Sequence, residues 1–117
     1  MREKARIKLQ ERVDTLKTQE ERNRLGQFAT SPDLAWSIVA YAVSLLPPHV
    51  KIRFLEPGFG TGPFYSALLR QVPPSHIESS VGYEIDPNYA EPAKRFWEES
   101  GLGILCRRFY KSRATED

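Results

Sequence analysis

The chain has 117 residues, of which 40% are apolar, 27% charged and 11% aromatic, a balance that fits one soluble domain and excludes a disordered tail. Its one cysteine, Cys106, excludes an internal disulfide and, with only two histidines, speaks against a metal site; the apolar stretch from Leu34 to Leu46 is too short for a membrane span, and no apolar signal segment follows the charged start, so a cytoplasmic protein without membrane contact is expected. The net charge of +2 is unevenly placed, at +3 over 1–24, −3 over 25–105 and +2 over 106–117, so the basic ends suit either a nucleic acid or simple solvation.

Residues 3–23 are predicted as a polar helix in which Leu9, Val13 and Leu16 make a narrow apolar stripe. Gly26 ends it, and Gln27 to Thr30 form a connector. Ser31-Pro32 supplies an N-cap and a first-turn proline for a second helix, with Leu34, Ile38, Val39, Ala42, Val43 and Leu46 expected on one face and Pro47-Pro48 as its stop. Lys51 to Leu55 reads as a strand that runs into Glu56-Pro57-Gly58-Phe59-Gly60-Thr61-Gly62. Pro63 opens a short helix that buries Phe64, Ala67 and Leu68 and ends before Pro73-Pro74. Ser79 to Glu84 is a second strand, Ile85-Asp86-Pro87 a turn, and Asn88 to Ser100 a helix with Tyr89, Ala93, Phe96 and Trp97 inward and Gly101 as its C-terminal stop. Gly103 to Arg107 is a third strand. Alternating strands and helices predict an α/β fold with a three-stranded parallel sheet, preceded by N-terminal helices.

The glycine loop lies between a strand end and a helix N-terminus, where a backbone can turn sharply and let a ligand approach. Glycines alone define only a tight turn, but two acidic residues sharpen the reading. Glu84 lies 22 residues past Gly62 at the end of the second strand, the place where a carboxylate receives the ribose hydroxyls of an adenosine ligand. Glu56 immediately precedes the glycines; it would repel a pyrophosphate and suits a cationic ligand such as a sulfonium with an α-amino group. That favours S-adenosylmethionine over a nicotinamide dinucleotide. A turn carboxylate at Glu56 and a solvated strand end at Glu84 are the alternatives.

The segment Phe54-Leu55-Glu56-Pro57-Gly58-Phe59-Gly60-Thr61-Gly62 resembles the first cofactor motif of class I S-adenosylmethionine-dependent methyltransferases, and Gly82-Tyr83-Glu84-Ile85-Asp86-Pro87 resembles their second. Arg24-Leu25-Gly26-Gln27-Phe28-Ala29-Thr30-Ser31-Pro32 is similar to the N-terminal motif of the DNA adenine-N6 enzymes of restriction–modification systems. The resemblance implies a partial Rossmann-like methyltransferase fold holding its first three strands, with S-adenosyl-L-methionine as cofactor and DNA as partner. It implies that Glu84 holds the ribose and Ile85 packs on the adenine. Glu56, Pro57, Gly58, Gly60 and Gly62 form the cradle around the methionine end, and Phe28 and Thr30 close it. The corresponding division is a basic helix at 1–23, a cofactor-binding half at 24–106 and a basic tail at 107–117.

Two departures accompany the resemblance. Arg108-Phe109 stands where the family has Asp-Phe, and an arginine cannot accept the adenine amino hydrogen bond. The family's catalytic polar-Pro-Pro-aromatic segment, which holds the target base, has no match: Leu46-Pro47-Pro48-His49 and Val72-Pro73-Pro74-Ser75 both lack the required neighbours. The expectation is therefore a piece of a methyltransferase, from a truncated, frame-shifted or split gene, inactive alone and suited to a complementing C-terminal fragment. A nicotinamide-binding oxidoreductase fragment and a non-catalytic, partner-binding remnant are the other readings.

Overall fold

A computed structural model gives the architecture of residues 2–18, 20–21 and 30–105. Its elements in chain order are helix α1 (Arg2–Asp14), helix α2 (Pro32–Ser44), strand β1 (Ile52–Glu56), helix α3 (Pro63–Gln71), strand β2 (Ile77–Tyr83), helix α4 (Pro87–Trp97) and strand β3 (Gly103–Leu105). The strands form one parallel sheet in the order β1-β2-β3. The α/β class, the element order and the parallel pairing are those expected from the sequence.

Prolines and caps set most boundaries. The Ser31 hydroxyl accepts the Leu34 N–H at 3.2 Å and opens α2 at Pro32. Asp86 caps α4 by accepting the Asn88 N–H at 2.9 Å, ahead of Pro87. Gly101 follows the short 3-10 turn Glu98–Ser100 with φ of 87°, a left-handed stop that glycine adopts without strain.

Two expectations are corrected. The first helix ends at Asp14, well before residue 23. Leu16 is 61% exposed, so the buried stripe is Arg6, Leu9 and Val13. A capping box restarts the chain: the Glu21 carboxylate accepts the Thr18 N–H at 2.8 Å while the Thr18 hydroxyl accepts the Glu21 N–H at 3.0 Å. In α2 the buried residues are Ala35 and Val39, whereas Leu34, Ile38, Ala42 and Leu46 are exposed. Ala35 packs in one cluster with Ala67, Leu68 and Val72. Its small side chain lets α2 come close to α3, and that turns the larger apolar residues outward.

The main core lies between the sheet and the helices. Phe59, Tyr65, Ala90, Ala93, Trp97 and Ile104 form one buried cluster against which Phe54 packs. Tyr65 meets the Trp97 ring edge-on at 5.1 Å between centroids. Helix α1 docks through Leu9 and Val13 onto Tyr89. No helix among the described residues is long and apolar enough to cross a membrane.

Candidate cofactor site

Glu56 is the last residue of β1 and pairs in register with Gly82 of β2. Glu84 follows β2 directly, so both acids stand at the carboxyl edge of adjacent parallel strands, where ligands of open α/β sheets bind. Between them runs the glycine loop. The Phe59 N–H donates to the Tyr83 carbonyl at 2.8 Å and the Gly62 N–H to the Phe59 carbonyl at 3.0 Å, which ties the loop to the end of β2.

Glu84 is buried, and each of its carboxylate oxygens takes a backbone N–H, from Gly60 at 2.8 Å and from Asp86 at 3.0 Å. A carboxylate oxygen has a second lone pair, so the group keeps acceptor capacity for a diol. Burial pushes the Glu56 carboxyl above its ordinary value of 4.5, and a hydrogen bond from the Gly58 backbone only partly offsets this. A half-buried acid held in this way gains from a cation placed beside it.

The glycines divide into two kinds. A Cβ on Gly58 or Gly60 would meet nothing within 4 Å, so both border open space in the cradle. A Cβ on Gly62 would lie 2.6 Å from Phe59 Cζ and 2.9 Å from Trp97 Nε1, and one on Gly82 would lie 2.6 Å from Phe59 Cδ1. Gly62, which the family resemblance places in the cradle, here makes room for the Phe59 ring. The residue between the first two glycines thus points into the core. Phe59 and Gly82 were not anticipated in this role; two glycines flanking one aromatic in space leave no spacing rule to find them by.

Ile85 is 51% exposed beside Glu84 and offers an apolar surface at the tip of the loop. Pro57 is exposed in the turn after β1, and Thr30 is half-buried just before the α2 cap. Phe28 lies outside the described residues, as do Cys106 and Arg108-Phe109.

Sequence reasoning also missed the role of α1. Arg6 is only 2% exposed. Its guanidinium bonds both Glu3 carboxylate oxygens at 2.8 Å and donates to the Thr61 hydroxyl at 3.0 Å. Thr61 in turn donates to Gln10 Oε1 at 2.5 Å, and its carbonyl accepts the Trp97 indole N–H at 2.9 Å. Spacing could have suggested Arg6, since it lies three residues before Leu9 and seven before Val13 on one helix face.

No protein-family model matches the chain. Its structure is similar to the crystal structure of the CurJ carbon methyltransferase, with a TM-score of 0.50 and 26% sequence identity over 62% of this chain and 19% of that one. The shared part is a methyltransferase fold. This chain spans about a fifth of the length of that protein.

Proposed function

We propose that the chain binds S-adenosyl-L-methionine as the cofactor-side part of a DNA adenine-N6 methyltransferase. The observation that carries the cofactor reading is the pair of acids at the carboxyl edge, with Glu56 raised by burial in a loop whose Gly58 and Gly60 border open space. The methyltransferase fold shared with a carbon methyltransferase supports it. Glu84 would receive the ribose hydroxyls, and Ile85 would lie on the adenine. Glu56, Pro57, Gly58 and Gly60 would surround the methionine end, with Gly62 shaping the loop and Phe28 and Thr30 completing the pocket. The cofactor supplies an electrophilic methyl group on a sulfonium. The contribution of these residues is to bind and orient it.

The adenine-N6 assignment rests on the Gln27-Phe28-Ala29-Thr30-Ser31-Pro32 resemblance. The 117 residues contain no polar-Pro-Pro-aromatic segment, so the proposal includes a partner segment that holds the target base. Positioning the amino nitrogen against the methyl carbon supplies much of the rate in such transfers.

Calorimetry with S-adenosylhomocysteine tests the cofactor half. The wild-type chain is expected to bind, and Glu84→Ala to bind at least about tenfold more weakly, because hydrogen bonds to a charged acceptor contribute roughly 1.5–3 kcal/mol each. Quenching by NADH with no heat from S-adenosylhomocysteine would move the site to the oxidoreductase reading. Label transferred from S-adenosylmethionine to a carbon acceptor instead of adenine N6, with the partner segment present, would keep the cofactor and overturn the DNA target.

A further inference from the structure

We infer that the N-terminal segment is a strap that fixes the orientation of the Glu84 carboxylate, with Arg6 and Lys17 as positioning residues. The functional consequence rests on the proposed ribose-binding role of Glu84; the geometry does not.

Each Glu84 oxygen is held by one backbone N–H, and each of those amides belongs to a loop gripped from the N-terminal segment. The Gly60 amide precedes Thr61, whose hydroxyl is clasped between Arg6 and Gln10 of α1. The Asp86 amide belongs to the residue whose Oδ2 pairs with the Lys17 ammonium and whose Oδ1 caps α4. Between these two grips, Asp14 accepts the Tyr89 hydroxyl at 2.6 Å. Residues 6 to 17 therefore bridge the two loops that aim the carboxylate.

The grip at Thr61 is directional. Arg6 uses Nε and one terminal nitrogen in a planar fork on Glu3, which leaves its other terminal nitrogen pointing at Thr61. Arg6 and Thr61 are both buried, so water does not easily replace a lost bond. Other anchors hold the core when the strap is cut: the Phe59 N–H on the Tyr83 carbonyl, and the Trp97 indole on the Thr61 carbonyl. Loss of the strap frees the tip of the glycine loop between those two points. The predicted signature is a local loosening around Glu84, without unfolding.

Amide hydrogen exchange by NMR on the full 117-residue chain tests this, with the β2 amides as internal reference. Thr61→Val removes the hydroxyl at nearly constant shape, and Thr61→Ser restores it. Thr61→Val is expected to speed exchange of the Gly60 N–H at least about tenfold while β2 is unchanged, with Thr61→Ser returning to the wild-type rate. Lys17→Met, at a position closer to solvent, is expected to do the same at the Asp86 N–H, and it serves should Thr61→Val fail to fold. Unchanged rates at both amides would overturn the proposal. So would a uniform rise across the protein, since that marks plain loss of stability. In a second arm, Thr61→Val should weaken S-adenosylhomocysteine binding at least about fivefold and Thr61→Ser restore it. If the wild-type chain gives no heat with that ligand, the ribose reading fails, and the exchange rates still decide the strap.

Discussion

Phe59 explains why neighbouring glycines in one loop answer to different demands. Gly62 has φ of 94° and a Cβ there would sit 2.6 Å from the Phe59 ring; Gly82 meets the same ring from the opposite strand. Gly62→Ala adds a left-handed backbone penalty to that overlap and should cost at least about 2 kcal/mol, read from urea unfolding. Gly82→Ala should lose stability through overlap alone, and a combined Phe59→Ala should recover part of that loss, a coupling that a double-mutant cycle measures. Additive losses would mean that Phe59 is not the obstacle. Gly60→Ala, at φ of 61° with open space around it, should cost only about 1–2 kcal/mol of stability while impairing the ligand. At this scale the placement of the two acids at strand ends and of the first two glycines in the loop between them was legible, because strand and turn signals locate them; their part in binding is the proposal. Arg6 was missed although its spacing to Leu9 and Val13 was there to see, because a periodicity reading counts apolar residues, and here a buried guanidinium takes a place on the helix's inner face.

Among the elements, α1 and α2 departed most from expectation, and each for a local reason. Thr18 and Glu21 close a capping box that splits the predicted 3–23 helix, a signal present in the sequence as Thr-x-x-Glu. Helix α2 is apolar on several sides, so pattern alone could not choose its inner face; close packing with α3 chose Ala35 and Val39. The strands and α4 were legible because proline, Asp86 and Gly101 mark their limits. The docking of α1 also carries a pH dependence. Burial would raise the Glu3 carboxyl, but hydrogen bonds from Arg6 and Ser66 and the charges of Arg6 and Arg70 outweigh it, holding the group below its ordinary 4.5. A lowered carboxylate contributes stability above the unfolded value, and that contribution is lost as pH falls through the folded one. Urea midpoints from about pH 6 to about pH 3 should therefore fall further for the wild type than for Glu3→Gln. A constant difference between the two would show that the Glu3 cluster contributes nothing to the acid response.

On the scale of the whole molecule, the described helices bury one side of the architecture and leave apolar groups elsewhere. Leu34, Ile38 and Tyr41 of α2 and Leu45 just after it recur at spacings of four, three and four residues, all exposed, and Leu55 of β1 is 48% exposed. Exposed apolar side chains at helical spacing promote association. The pair Ile38→Lys and Leu45→Lys is expected to lower concentration-dependent light scattering while shifting stability by no more than about 0.5 kcal/mol per site, as for other surface changes; unchanged scattering would place the sticky surface elsewhere, at Leu55 or the outer edge of β1, which among the described residues pairs with β2 alone. The reach of α1 across the chain has a further consequence, for synthesis. Arg6 waits for Thr61, 55 residues later, and Asp14 waits for Tyr89, 75 residues later. At about 5–20 residues per second on the ribosome, the Arg6 delay alone is roughly 3–11 s. Helix α1 is thus made well before the residues that hold it in place. Until then its buried arginine is a solvated one, and the loop that it will hold has not yet been translated.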